Sequence, residues 1–535
     1  MKVVTAREMQ EIDRITIQER GLPGEVLMGM AGRAVADHII TCLPRAGRVA
    51  VFSGTGNNGG DGFAAAYFLA NSGVTADVFL IGSEDKISET SHIYHALCAT
   101  GGIRIQSVAS SEELAGLDLD SYVCVVDAIL GTGFTGAAKG LAAEAIRKIN
   151  DCDIFVISVD VPSGLGSGGS APDGEAVIAD RTITIGLPKL SLVTYPGKDF
   201  TGDLHVADIG FPKPLAESDA LKNELIDGDY FTKNMIAEIE SDYCMRPDAH
   251  KGARGHLLII GGFDGMEGAA MMTASAALET GVGLVTLLTT SGARSVTAGK
   301  IPELITLSFT DGIESASRRT DKAIQAIETV FNARAYDALV IGPGMGRSRF
   351  AYEVFETMAA SATRFGIRRI LIDGDGLFHL AEYIAKGSLD PKIGWIVTPH
   401  FMEASRIMGV SVEEIKNNRH LSSGDLARRL SCAALLKGPA TIVSDGDRYF
   451  INTTGSAALA TAGSGDVLSG IIGALMLRRF SAVQAAAFGA WVHGKAADLY
   501  CADAKSDVLK STDLLPYIRR AKNCIQSGLK HKQQR

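Results

Sequence analysis

Val49-Ala50-Val51-Phe52-Ser53-Gly54-Thr55-Gly56-Asn57-Asn58-Gly59-Gly60-Asp61-Gly62 carries the reading that decides the fold. Its apolar run predicts a buried strand, its glycines a tight loop, and the residues from Phe63 to Ala70 a helix. The alternation continues outward through Ala76 to Ile81, Val123 to Ile129 and Phe155 to Val159, and finishes with Thr182 to Ile185 and Leu204 to Ile209. Strands that alternate with helices predict a parallel sheet covered on both faces, with ligands collecting at the strand C-terminal ends. Upstream, Thr5-Ala6-Arg7-Glu8 fits a capping box, and the helix it starts is read as structural.

Phe211-Pro212-Lys213-Pro214 breaks this pattern, and the polar stretch that follows to about Lys222 reads as a linker. A second series of strands then runs through Leu257 to Ile260, Ala338 to Ile341, Ile370 to Ile372 and Ile396 to Val397. The stretch Thr441 to Asn452 alternates around Asp445-Gly446, a dipeptide suited to a tight hairpin, so an antiparallel pair is expected in this second α/β domain. A chain of 535 residues is too long for one core, and a Rossmann-like parallel-sheet domain at 1–215 and a second α/β domain at 225–530 follow. The last residues, Lys530 to Arg535, read as a frayed end.

Charged residues at 21% and hydrophobic ones at 46% describe an ordinary folded protein, neither disordered nor a coiled coil. The net charge of -9 offers no general attraction for nucleic acid, so small metabolites are the expected partners. No segment has the apolar length of a membrane span, and charged residues near the start interrupt any signal-peptide pattern. The eight cysteines are scattered without metal-ligand spacing. Reduced thiols, a cytoplasmic location and a homo-oligomer are expected.

Gly54, Gly56 and Gly59 formally match a dinucleotide fingerprint, but the next strand ends in Phe79-Leu80-Ile81-Gly82 without the acid that would bind a ribose. Asn57, Asn58 and Asp61 instead place oxygens beside phosphate-binding amides, chemistry that suits a hard cation or a polar substrate. Asp127, ahead of Gly131-Thr132-Gly133, and Asp160, ahead of Ser163, bring two further strand ends to the same crevice. Either aspartate alone reads equally as a turn cap. Lys189 is expected to be solvated, with phosphate neutralisation or proton transfer as the alternative.

The stretches Gly56 to Gly62, Val125 to Gly136 and Val159 to Leu165 resemble the NAD(P)H-hydrate epimerase family over residues 1–212. The resemblance implies that Asn57, Asn58, Gly59, Gly60 and Asp61, with Gly131, Thr132, Gly133, Phe134, Thr135, Gly136 and Ala137, contact a hydrated dinucleotide. It also implies that Asp160 binds near the reacting ring and that Asn58, Asp127 and Ser163 hold potassium. Gly29-Met30 stands where relatives have Glu-Asn.

In the second half, Gly463-Ser464-Gly465-Asp466 opens onto an apolar helix from Ile471 to Leu477, so that amides at its N-terminus face an anion with Asp466 beside them. Such an aspartate can take a proton from a hydroxyl attacking a phosphoryl group, or can simply cap the helix. No Gly-Lys pair is followed by Ser or Thr, so there is no Walker A loop. The segments His250 to Gly262, Ala338 to Gly346, Thr398 to His400 with Glu403, Leu435 to Val443 and Asn452 to Leu475 resemble the ribokinase-like fold and, together, the ADP-dependent NAD(P)H-hydrate dehydratase family. That implies hydrate contacts from Ala253, Gly344, His400 and Asp466. It implies nucleotide contacts from Lys437, Gly438, Pro439, Ala440, Thr441 and Gly465, with magnesium bridging the phosphates of ADP. Phe401-Met402 replaces the family's Pro-Gly, and Asp373-Gly374-Asp375-Gly376 carries glycines where alanines are usual.

The expected activity is repair of the hydrates of NADH and NADPH: epimerisation of their R and S forms, then ADP-dependent dehydration of the S form to NAD(P)H, AMP and phosphate. Asp160 and Asp466 are the catalytic candidates. Alternatives are a ribokinase-like small-molecule kinase similar to hydroxyethylthiazole kinase, and a non-catalytic first domain that binds a protein partner.

Overall fold

The computed structural model describes residues 1–42, 47–166, 171–235, 237–239, 251–309 and 327–533, which leaves Cys244 and His250 outside the described residues. The chain divides into two compact units, Lys2–Asn223 and Glu224–Arg535.

In the first unit seven parallel strands lie in the order Arg104–Val108, Thr75–Ile81, Arg48–Ser53, Tyr122–Ala128, Phe155–Val159, Arg181–Ile185 and Asp203–Ala207. Along Arg48–Ser53 the side chains alternate between two cores. Val49 and Val51 join Phe63, Leu69 and Val126 on one face, while Ala50 and Phe52 join Phe79, Val125 and Ile146 on the other. Both faces are buried, as a parallel sheet under helical crossovers requires. Arg104–Val108 was not anticipated from its composition, because as an edge strand it keeps Arg104 and Ser107 in solvent.

Chain order reverses between Arg48–Ser53 and Tyr122–Ala128, and a crevice opens at such a reversal. The strand exits abut there: Gly54 N donates to Ala128 O at 3.0 Å, and a β-carbon on Gly54 would lie 2.0 Å from Ile129 O. The helix that follows runs Asn57–Asn71, starting at Asn57 rather than at Phe63. Its first turn folds back onto the loop because Gly59 has no β-carbon; one would sit 1.9 Å from Gly54 O.

The second unit repeats this plan. Parallel strands run Leu304–Ser308, Leu284–Thr289, His256–Ile260, Ala338–Ile341, Arg369–Ile372, Gly394–Val397 and Ala433–Leu436. Beyond them lies the expected hairpin, Ile442–Ser444 with Tyr449–Asn452, antiparallel to Ala433–Leu436 as well. Here the order reverses between His256–Ile260 and Ala338–Ile341, where Gly262 N donates to Pro343 O and Phe263 N to Gly344 O, each at 2.8 Å. The apolar helix begins at Ser464 and ends at Leu475, so the glycine stretch forms its first turn instead of a preceding loop. It packs on Glu267–Thr280 closely enough that a β-carbon on Gly470 would lie 2.1 Å from Thr273 O. The last helix, Leu515–Gln533, extends into the end expected to fray. No helix of the described residues is long and apolar enough to cross a membrane.

Gly470→Ala forces the two helices apart and is expected to cost about 1–3 kcal/mol in thermal unfolding. Gly268→Ala, where a β-carbon meets nothing within 4 Å, is neutral or stabilising in the same assay.

Candidate active sites

At the reversal in the first unit lies a cavity of about 680 Å³. Of the residues picked out in the sequence, Asn57, Asn58, Asp61, Gly131, Thr132, Gly133, Phe134 and Asp160 line it. Gly59 and Gly60 lie beneath, buried in helix packing against Gly54, Met28 and Ser91, and Thr135, Gly136 and Ala137 continue the loop past the cavity. The first helix, read as structural from its capping box, also forms a wall: Met9, Gln10 and Asp13 line the cavity.

Asp160 holds a left-handed backbone, φ 64, which is strained for a residue with a side chain. The strain sets its carboxylate over the next strand, where Oδ1 accepts from Ile185 N at 3.1 Å and from the Lys189 ammonium. Lys189 is fully buried, contrary to the expectation of a solvated side chain, and its Nζ also donates to Ile185 O at 2.8 Å and Thr184 Oγ1 at 3.1 Å. A lysine with three partners tolerates such burial because every N–H is satisfied. Around this pair, burial pushes the Asp13 carboxyl up to about 6, with Asp160 adding to the rise and Lys189 opposing it. Burial raises Asp61 well above the carboxylate range, and Asp160 and Asp13 push it further.

Asp127 sits fully buried at the next strand end, where its Oδ2 accepts from Ser158 Oγ and Ser163 N, both at 2.8 Å. It does cap turns, as the simple reading of a strand-end aspartate held, since Ile129 N also donates to it. Ser163 Oγ donates to it as well, and accepts from Leu130 N at 2.8 Å. Asn58 packs against Gly131, within reach of the same loop, and its side-chain nitrogen is buried with no hydrogen-bond partner among the described residues. Amide nitrogen and oxygen are interchangeable by rotation, so this position can equally present an oxygen.

In the second unit the charges gather around Lys437. Its ammonium donates to Asp373 Oδ1 at 2.8 Å and stands 3.9 Å from Glu403 Oε2; Ser469 Oγ donates to Asp373 Oδ2 at 2.7 Å. Burial pushes Asp373 up, but Lys437 and these hydrogen bonds outweigh it and hold the carboxyl below its ordinary value. Gly465 lies over the pair, its β-carbon position 3.4 Å from Lys437 Nζ. Asp466 follows in the first helical turn. Burial pushes it up to about 7, Asp373 and Asp375 add to the rise, and Lys437 opposes it. A carboxyl poised near neutrality is suited to general-base work.

His400 caps the helix Phe401–Met408: its Nδ1 accepts from Met402 N at 3.1 Å, which leaves the N–H on Nε2, beside Glu403. Gly344, with φ 60, turns at the exit of Ala338–Ile341, and Ala440, with φ 48, is held by Arg419 Nη2 on its carbonyl at 3.2 Å. Thr441 Oγ1 closes that loop onto Gly438 O at 2.9 Å, which leaves Pro439 at its tip. The side chain of Ala253 lies outside the described residues. Asp373 and Ser469 escaped sequence reasoning as site residues, although an aspartate directly after Arg369–Ile372 was a legible signal.

Lys189→Met leaves Asp160 charged and buried without its ammonium, and is expected to lower unfolding stability by roughly 3–5 kcal/mol at pH 7. Adding Asp160→Asn recovers most of that loss in denaturant titrations.

Residues 24–191 match the family model described as YjeF-related protein N-terminus, and residues 257–520 match that of NAD(P)H-hydrate dehydratase. The bifunctional NAD(P)H-hydrate repair enzyme Nnr of Thermofilum pendens is 32% identical over 98% of this chain and 97% of its own length. Its counterpart in Moorella thermoacetica is 34% identical over 97% of each. A ribokinase-like superfamily protein from Enterococcus faecalis aligns at 22% identity and a TM-score of 0.46, covering 57% of this chain and 96% of that one. With relatives of this similarity along nearly its whole length, the chain belongs to the family of bifunctional NAD(P)H-hydrate repair enzymes.

Proposed function

We propose that this chain repairs hydrated NADH and NADPH, residues 1–215 interconverting the R and S hydrates and residues 225–530 dehydrating the S form at the expense of ADP. The observation that carries the reading is that both units of a chain in this family keep an assembled group of carboxylates and lysine at the reversal of strand order or beside it.

In the first unit, Asn57, Asn58, Asp61 and the loop Gly131 to Ala137 bind the dinucleotide, and Asp160 serves proton transfer at the hydrated ring. Asp127, Ser163 and the buried Asn58 amide supply the oxygen-rich donor set that fits potassium. When bound, that cation would be held by Asn58, Asp127 and Ser163 and would supply positive charge to offset a phosphate.

In the second unit, Ala253, Gly344 and His400 hold the hydrate with its C6 hydroxyl toward Asp466. Lys437 to Thr441 and Gly465 hold ADP, whose terminal phosphate meets the amides of the first turn from Ser464. Asp466 takes the hydroxyl proton as the phosphoryl group transfers, and elimination of phosphate restores the ring double bond, leaving AMP. Among the described residues no three His, Cys, Asp or Glu side chains gather for a metal. Magnesium, carried in on the phosphates of ADP, would neutralise their charge there.

A mixture of R and S hydrate incubated with ADP tests the reading: full recovery of dihydronicotinamide absorbance, with AMP and phosphate, is expected. Recovery that stops when the S form is spent overturns the epimerase half, and a stable phosphorylated product marks a simple kinase. Dehydration should accelerate as pH rises through about 7, where Asp466 ionises. Asp466→Asn should lower its rate roughly 10²–10⁴-fold and spare epimerisation. Because the folded carboxyl is raised, its charge destabilises the fold above the unfolded value. The variant therefore melts higher than the parent at pH 8, and the gain vanishes near pH 4.

A further inference from the structure

The first site holds more carboxyls than its ammonium can balance. Asp13, Asp61 and Asp160 share Lys189, and like charges gathered in one pocket do not all ionise together. Geometry separates their parts. Asp160 is tied down, with Ile185 N, Thr184 Oγ1 and Lys189 Nζ all on Oδ1. No hydrogen bond among the described residues reaches the carboxyl of Asp13, which faces the cavity.

Its helix is nevertheless pinned to the lysine's own segment. Val4 N donates to Pro188 O at 3.0 Å and Leu190 N donates to Val4 O at 2.9 Å, one on each side of Lys189. Met9, one helical turn before Asp13, packs on Gly186, and Met9 and Asp13 both line the cavity. The chain thus fixes Asp13 relative to Lys189 through backbone bonds while leaving its carboxyl unengaged, the arrangement of a group kept for a ligand. Directly after it the helix widens into a π turn, Ile15–Glu19, a distortion frequent at functional sites.

We propose that Asp13 is a second catalytic carboxyl of the epimerase, paired with Asp160. The inference rests on the epimerase reading above. In the hydrate, C6 carries a hydroxyl and is bonded to N1. Asp160 takes the hydroxyl proton as the oxygen pair forms C6=O; the C6–N1 bond breaks with its electrons moving to N1, and Asp13 protonates N1. Rotation about C5–C6 turns the other face of the aldehyde to N1, which adds back as Asp13 recovers its proton and Asp160 returns its own to the oxygen. Nothing is gained, lost or oxidised. Asp61, Asp160 and Lys189 are the charged groups facing Asp13, and with Asp13 poised near 6 the rate falls as pH rises through that value.

The test follows purified R hydrate at several pH values in the full chain, corrected for uncatalysed epimerisation. Asp13→Asn should lower kcat roughly 10²-fold or more and abolish the limb near pH 6, with KM within about threefold of the parent. Asp13→Glu should restore part of the rate together with the limb, and dehydration of purified S hydrate should not change in either variant. An Asp13→Asn enzyme that keeps the parental kcat and pH profile, or changes KM alone, overturns the inference while the epimerase reading stands. A parent chain that leaves R hydrate untouched overturns both.

Discussion

Two missing β-carbons let this chain bring neighbouring strand exits together. At Gly54 the carbonyl of Ile129 occupies the space a side chain would take, and at Gly261 the carbonyl of Pro343 does the same, 2.2 Å from the β-carbon position. Each contact falls where a parallel sheet reverses its order, the one place where neighbouring connections depart to opposite faces and leave a gap. The candidate site residues of the first unit are arranged around that gap. Asp127 and Asp160 stand at the ends of the next strands, and Asn57 begins the helix that returns from the first.

Each unit then sinks one ammonium against a strand-end aspartate, Lys189 with Asp160 and Lys437 with Asp373. A buried ion pair adds little net stability, because desolvating both charges offsets most of their attraction. What the pair does is adjust the ionisation of its neighbours, which burial displaces first. Asp13 and Asp61 in one unit, and Asp466 in the other, are raised mainly by burial, and the nearby lysine limits that rise. Carboxyls displaced toward neutrality are the ones that exchange protons in reactions.

Much of this was legible along the chain. The strands bearing Asp127 and Asp160 announced themselves as apolar runs, and the hairpin at Asp445-Gly446 by its turn dipeptide, because these signals are local. The edge strands Arg104–Val108 and Leu304–Ser308 were not, since polar residues interrupt their apolar pattern, and the buried interior strands Leu284–Thr289 and Ala433–Leu436 were passed over as well, because a short apolar run does not tell strand from helix. Helix starts were also misplaced. Asn57 and Ser464 lie inside glycine stretches, and glycine disfavours a helix unless close packing repays its entropy. That packing, Gly59 on Gly54 and Gly470 on Thr273, exists only after the chain has folded.

Sequence by itself determined the class of fold, the glycine-rich strand exits and most residues of the loops, because periodicity and turn chemistry act between near neighbours. Tertiary structure alone decided which charges meet. Lys189, which by its type belongs in solvent, is buried because Asp160 and two strand-end oxygens satisfy it; Asp13, on a helix read as structural, reaches the cavity because Val4 is bonded on both sides of that lysine. Ionisation depends on burial and on charges distant in sequence, so the state of these carboxyls was decided by folding.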